Sequence, residues 1–175
     1  MKKILLACAV MFATYTSFSQ NENQNNNQQA AQQPQSPRMT AQGKDASVAY
    51  GQPSKRDREI FGKLVPYGKV WRTGANEATE ITFNRDVQFG GKPVKAGTYT
   101  LFTIPTENEW TVILNSSSKQ WGAYEYEKIK DKDVVQVKVP AKKTDSMVEK
   151  FTIRFDEQNN LVMEWDNTAV AVPIQ

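Results

Sequence analysis

The sequence predicts an all-β fold, an antiparallel β-sandwich or flattened barrel of about eight to ten strands with at most one or two short helical turns. Apolar residues in the C-terminal two thirds of the chain recur at every second position, as in Phe151, Ile153 and Phe155. Turn-forming residues separate these runs at short intervals. Helical periodicity is nearly absent, so strands account for most of the expected structure.

Two segments read as strands that are covered on both faces. Residues 99–104 and 110–114 carry apolar side chains at successive positions, which is typical of the centre of a sheet. Later strands alternate strictly and are expected to be half-buried. Their buried faces are Val135, Val137 and Val139, then Phe151, Ile153 and Phe155, then Leu161, Met163 and Trp165, and finally Val170, Val172 and Ile174.

Short polar segments mark the turns between these strands. Gly90 and Gly91 follow a short apolar run, residues 106–109 separate two central strands, and residues 157–160 separate two alternating ones. Glycine and asparagine tolerate the backbone angles that tight hairpins need. Only residues 56–62 and 121–130 offer room for a helical turn.

The N-terminus reads as a secretory signal peptide, residues 1–19. Two lysines precede a short apolar stretch, and small residues at Ser17 and Ser19 favour cleavage before Gln20. The alternative is a lipid-anchored protein attached through Cys8, although the apolar stretch before Cys8 is short. We therefore expect a periplasmic or extracellular protein without a transmembrane segment.

Residues 20–36 consist mostly of asparagine and glutamine. Such a segment has little apolar surface to offset the entropy of ordering, so it is predicted to be a disordered linker. Residues 37–175 then form a single β-domain. Loss of the leader removes Lys2 and Lys3 and leaves the chain near neutral, so no basic surface for nucleic acid is expected.

The composition excludes much familiar enzyme chemistry. The chain has no histidine, and its one cysteine, Cys8, lies in the predicted leader. Catalytic triads, thiol chemistry and histidine zinc sites are therefore ruled out for the mature chain. No glycine-rich phosphate loop is present, and no cofactor is expected. Any activity must use guanidinium, carboxylate, amide and aromatic groups.

Several sequence blocks, spread over most of residues 37–175, resemble one known family. These blocks are residues 48–54, 58–62, 70–79, 96–105, 109–115 and 121–126, of which Val-Trp-Arg-Thr-Gly-Ala-Asn-Glu-Ala-Thr at 70–79 is the most specific. The family is the exported bacterial one known as domain of unknown function 2911. The resemblance implies an exported all-β domain and no established activity.

The segment around residues 71–80 is the main candidate for a binding site. A planar guanidinium, an amide and two carboxylates lie within nine positions, a combination suited to a small polar or anionic ligand. Aromatic rings would complete it, since exported β-sandwiches commonly stack sugars on such rings. The candidate residues are Trp71, Arg72, Asn76, Glu77, Glu80 and Trp121.

Other interpretations of these residues remain open. Arg72 can instead pair internally with Glu77 or Glu80, and the aromatic rings can serve packing alone. A hydrolase of the glycosidase type would use two carboxylates from Glu77, Glu80 and Glu125. A calcium site near Glu127 and residues 131–133 lacks the spacing of known loops. A purely structural component of the bacterial envelope is the third possibility, and the sequence does not decide the oligomeric state.

Overall fold

A computed structural model describes residues 35–175, which form ten strands and two short helical turns. The predicted leader, Cys8 and most of the predicted linker lie outside these residues. The strands are β1 Arg38–Gln42, β2 Ala46–Gly51, β3 Thr79–Phe83, β4 Val87–Phe89, β5 Lys92–Val94, β6 Gly97–Pro105, β7 Glu109–Asn115, β8 Asp133–Pro140, β9 Lys142–Phe155 and β10 Asn160–Pro173. An α-helical turn, α1, covers Tyr126–Ile129 and is followed by a 3₁₀ turn at Lys130–Lys132.

The larger layer is a six-stranded antiparallel sheet in the order β1-β2-β3-β6-β7-β8. Its end strands, β1 and β8, do not pair with each other. The sheet therefore stays open, and the fold is an all-β sandwich rather than the flattened barrel that was the alternative.

Two hairpins build the second layer. The long β9–β10 pair and the short β4–β5 pair are both antiparallel, and an isolated bridge between Phe89 and Ile174 connects them. A further bridge joins Ser54 to Lys150 at the outer side of β9. Inward-facing residues from both layers belong to one large apolar cluster, so the core lies between the layers.

An aromatic group occupies the middle of this core. The Trp71 and Trp165 rings stack with centroids 6.0 Å apart, and Trp71 also meets Phe151 at 5.0 Å and Trp110 at 6.1 Å. Phe61 packs against Trp110 at 5.1 Å. These rings bury large apolar surfaces, and such burial is the main source of stability expected for a chain of this composition.

The period-two prediction is confirmed for the later strands, where the alternating residues of β8, β9 and β10 are buried apart from Phe155, which is half-buried. The turn at residues 121–130 contains α1, but the helical turn expected at 56–62 is wrong. There the backbone N–H of Lys55 donates to the Glu149 carbonyl and that of Gly62 to Val65. A bond to β9 and a local turn replace the single helical turn, whose nucleation is unfavourable.

None of the helices within residues 35–175 is long and apolar enough to cross a bilayer.

Candidate functional site

Residues 71–72 and β3 lie one after the other along the same edge of β6, and a short loop between them interrupts the pairing. Trp71 bridges to Thr103 of β6, and β3 pairs with the same edge of β6 from Thr79 onward. The Thr79 N–H donates to the Arg72 carbonyl at 3.1 Å, which closes the gap. Residues 73–78 therefore form an excursion from the strand, referred to below as the excursion loop.

Buried polar contacts fix the excursion loop in place. The Trp71 Nε1–H donates to the Gly74 carbonyl at 3.1 Å, and the Thr79 hydroxyl donates to the Thr73 carbonyl at 2.6 Å. Gly51 of β2 comes so close to the loop that a Cβ there would collide with the Ala75 carbonyl oxygen. Gly74 of the motif meets the same strand, since a Cβ there would lie 2.8 Å from the Gly51 carbonyl oxygen, so glycine at both positions permits the close backbone approach.

Two of the predicted site residues have structural partners. Trp71 is only 8% exposed and belongs to the aromatic core, so its ring is not available to a ligand at the surface. Asn76 adopts a left-handed backbone conformation, with φ of 62°, and its amide donates to the Ser36 carbonyl at 3.1 Å. It joins the excursion loop to the chain that enters β1.

Glu77 and Glu80 point to opposite sides of their chain. Glu80 of β3 accepts a hydrogen bond from the Lys119 N–H at 2.8 Å, whereas Glu77 approaches Arg38 at 3.8 Å. Ala78, which alternates with Glu77, packs against the outer face of the large sheet. Side chains alternate along an extended chain, so Ala78 and Glu80 face the sheet's outer side and Glu77 faces away from it.

Residues 116–132 cross the outer face of the six-stranded sheet and are called the cover segment here. Tyr126 packs edge-on against Phe102 at 5.2 Å, within a small apolar cluster separate from the main core. The Tyr126 hydroxyl donates to Asp133 at 2.6 Å, and the buried Asn115 amide donates to the other Asp133 oxygen at 2.7 Å. Burial and the Asp133 carboxylate raise the pKa of Tyr126 far above its ordinary value.

Two aromatic rings of the cover segment face solvent. Trp121 is 60% exposed and Tyr124 is 76% exposed, and neither ring contacts another aromatic ring within residues 35–175. Gly122 has φ of 70°, and a Cβ there would lie 2.6 Å from the Tyr124 ring. The Tyr124 ring thus rests on the Gly122 backbone, which supports it in an exposed position.

Trp121 lies directly across from Glu77. Their residues form an isolated antiparallel bridge, and the Ala78 N–H donates to the Gln120 carbonyl at 2.9 Å. This bond pattern makes Glu77 and Trp121 a non-hydrogen-bonded pair, the type whose side chains lie closer together. The Glu77 side chain is 54% exposed. An accessible indole ring and an accessible carboxylate are therefore neighbours.

Arg72 does not pair with Glu77 or Glu80, which was one interpretation of the sequence. Among residues 35–175, no carboxylate lies within ion-pair distance of its guanidinium, and its buried Nε has no hydrogen-bond partner. Because Trp71 faces the core, Arg72 faces the outer side, where Val70 packs against the small cluster. Arg72 is half-buried there.

The acidic residues near the cover segment have partners of their own. Glu125 pairs with Lys128 at 2.6 Å, Glu127 pairs with Lys130 at 2.9 Å, and Asp133 accepts hydrogen bonds from three side chains. In the described part of the chain, no group of three or more cysteine, histidine or acidic residues is arranged to hold a metal ion.

Two open grooves lie elsewhere on the described surface. One, of about 450 Å³, is lined by the β4–β5 hairpin and Gln175, and the other, of about 480 Å³, by β5 and β8 with Ile104 and Thr111. None of the six predicted site residues lines either groove. The exposed side chains of Trp121, Tyr124 and Glu77 are called the platform below.

The sequence comparisons agree with the resemblance of the motif blocks. A family model described as protein of unknown function, DUF2911, matches residues 27–174. The chain belongs to this family. Comparison with curated proteins and with solved structures gave no match. In this DUF2911 protein, most of the 70–79 block builds the core and the excursion loop; Glu77 is its one exposed residue, and Val70, Arg72 and Asn76 are half-buried.

Some groups of the site are not evident from the sequence. Arg38, the partner of Glu77, lies 39 positions earlier in the chain, and nothing in its local pattern indicates the contact. Tyr124 carries a visible signal, since it follows the glycine of a loop-like stretch that contains Trp121. Its exposure depends on how the cover segment crosses the sheet.

Proposed function

We propose that this DUF2911 protein is a non-enzymatic binding protein whose ligand is a carbohydrate held on the cover segment. The supporting observation is the pair formed by Trp121 and Glu77, an exposed indole ring beside an exposed carboxylate. A sugar ring presents an apolar face that stacks on an aromatic ring, and its hydroxyl groups donate to a carboxylate. Tyr124 supplies a second exposed ring three residues along.

Hydrogen bonds at both ends of the cover segment fix the backbone that carries the platform. The Ala78–Gln120 and Lys119–Glu80 hydrogen bonds attach the cover segment to β3 and the excursion loop. Tyr126 and Asp133 attach its other end to the sheet. A ring held by a fixed backbone loses less freedom on binding than a ring on a mobile loop, which favours affinity.

A glycosidase-type hydrolase is the alternative function from a different class. It needs two carboxylates facing one cleft at a separation of roughly 5 to 9.5 Å. Glu77 and Glu80 face opposite sides of the chain, and Glu125 is engaged with Lys128. We therefore favour binding over hydrolysis. A purely structural envelope component would leave Trp121 without a ligand.

Intrinsic fluorescence offers a direct test. The other three tryptophans, Trp71, Trp110 and Trp165, are 8% exposed or less, so quenching by acrylamide reports mainly on Trp121. Titration with soluble polysaccharides should protect this fluorescence and shift its maximum. Affinity electrophoresis in gels containing the same polysaccharides gives an independent measure of binding.

Trp121→Ala should lower the affinity about tenfold or more, as expected for loss of one aromatic stacking contact. Tyr67→Ala is the matched control, because Tyr67 is 40% exposed but lies outside the cover segment. Equal binding by both variants, or binding by neither the variants nor the wild type across neutral and acidic glycans, would refute the proposal. Release of reducing sugar by the wild type would favour the hydrolase.

We also propose that the protein is exported with its leader removed. The basic start, the short apolar stretch and the small residues at Ser17 and Ser19 support this. N-terminal sequencing of protein recovered from the bacterial envelope or medium should begin at Gln20. An acylated N-terminus at Cys8 would replace the proposal with lipid anchoring.

A further inference from the structure

We infer that the ligand of the platform is an amino sugar, whose protonated amine is held between the Glu77 carboxylate and the Trp121 indole ring. This inference rests on the proposed function and specifies its ligand class. The observation behind it is the cross-strand pair itself. Glu77 and Trp121 form an isolated antiparallel bridge, and their side chains are 54% and 60% exposed.

Glu77 and Trp121 present their side chains on the same face of this bridge. Directly opposite residues of an antiparallel pair share a face, and their Cβ atoms lie about 4.5–5.5 Å apart. Side chains that start this close together can both contact one ammonium group, the indole through its ring face and the carboxylate through an oxygen.

The Glu77 carboxylate is available to a ligand. Within residues 35–175 it accepts no hydrogen bond, and its ionic neighbour there is Arg38 at 3.8 Å. This distance is beyond hydrogen-bond reach and both side chains are exposed, so the pair contributes little. By contrast, Glu80 accepts from a backbone N–H, and Glu125 pairs with a lysine at 2.6 Å. Of these three carboxylates, Glu77 is the one whose oxygens remain free to accept from a ligand.

The indole ring and the carboxylate both favour a cation. The face of an indole attracts positive charge, and a carboxylate attracts the same charge while it repels an anion. A neutral sugar gains ring stacking and hydroxyl hydrogen bonds, whereas a protonated amino sugar adds a cation–π contact and a charge-assisted hydrogen bond. Arg38 opposes this binding, because its guanidinium competes for Glu77 and repels an ammonium group. Removal of Arg38 should therefore strengthen binding of an amine.

The test compares two probes that share one backbone. A chitosan hexamer carries protonated amines at mildly acidic pH, and the fully N-acetylated hexamer is neutral. At low salt the wild-type protein should bind the amine form at least about fivefold more tightly, as expected for one cation–π contact and one exposed ion pair. Added salt should reduce this preference. Acrylamide quenching of Trp121 fluorescence measures the binding of both probes.

Glu77→Gln should reduce binding of the amine form to the level of the acetylated form. Glu125→Gln is the matched control, because Glu125 is also 54% exposed and lies in the cover segment, and this variant should keep the preference. Arg38→Gln should bind the amine form about twofold more tightly than the wild type, since it loses only a weak competing ion pair. Unchanged melting temperatures verify that the three variants are folded.

Equal binding of the two hexamers by the wild type at low salt would overturn the inference and leave the proposed function intact. The same holds for equal losses in Glu77→Gln and Glu125→Gln, and for weaker binding of the amine form by Arg38→Gln. A lysine oligopeptide that binds as tightly as the chitosan hexamer would overturn the assignment to an amino sugar. Failure of every glycan to bind would refute the proposed function and the inference together.

Discussion

Replacing Trp71 by alanine tests whether the most specific part of the 70–79 motif serves folding rather than ligand contact. The indole ring is 8% exposed, stacks on Trp165 and contacts Phe151 and Trp110. Its Nε1–H also holds the Gly74 carbonyl of the excursion loop. The substitution therefore removes both a central core ring and one attachment of the loop.

The expected loss follows from these contacts. Truncation of a buried tryptophan to alanine costs about 3–5 kcal/mol, and the hydrogen bond to the Gly74 carbonyl adds about 1 kcal/mol. The free energy of unfolding should thus fall by about 4–6 kcal/mol, which lowers the melting temperature by roughly 12–18 °C for a domain of this size. Urea and thermal unfolding followed by far-ultraviolet circular dichroism measure both quantities without depending on tryptophan emission.

Trp121→Ala is the matched comparison, because the same side chain is removed from a position that is 60% exposed. Its unfolding free energy should change by less than about 0.5 kcal/mol. A loss below about 2 kcal/mol for Trp71→Ala, or similar losses for the two variants, would show that the aromatic core is not organised as described.

Two further predictions concern the excursion loop and the cover segment. Gly51→Ala should lower the free energy of unfolding by about 3 kcal/mol, because the added Cβ collides with the Ala75 carbonyl oxygen. Gly68→Ala is the control, because Gly68 has φ of 71° but open space around it. In the same urea unfolding experiment this control should cost only about 1 kcal/mol. Tyr126→Phe should lower the unfolding free energy by about 1–2 kcal/mol near neutral pH, through loss of the hydrogen bond to Asp133. Because the pKa of Tyr126 is raised in the folded state, the contribution of its hydroxyl to the free energy of unfolding is complete below the unfolded-state pKa near 10 and declines at higher pH. Above pH 10 the wild type should therefore lose stability more steeply than Tyr126→Phe. Equal slopes for the two proteins would contradict this prediction.

The sequence by itself determined the strands. Alternation of apolar residues is set by the two-residue repeat of an extended chain, so the buried faces of β8 and β10 could be assigned without knowledge of their partners. The hairpin turns followed from glycine and asparagine at positions such as Gly90 and Asn159. The absence of histidine likewise excluded whole classes of chemistry.

The tertiary structure decided which residues of the 70–79 block face the core and which remain accessible. Trp71 and Trp121 are the same residue type and were both predicted to line the site, yet one is enclosed by Trp165 and Phe151 while the other is 60% exposed. Likewise, the engagement of Glu77 by Arg38 depends on β1 passing the excursion loop. Burial and ion pairing depend on which distant segments come into contact, and the local sequence pattern does not predict those contacts.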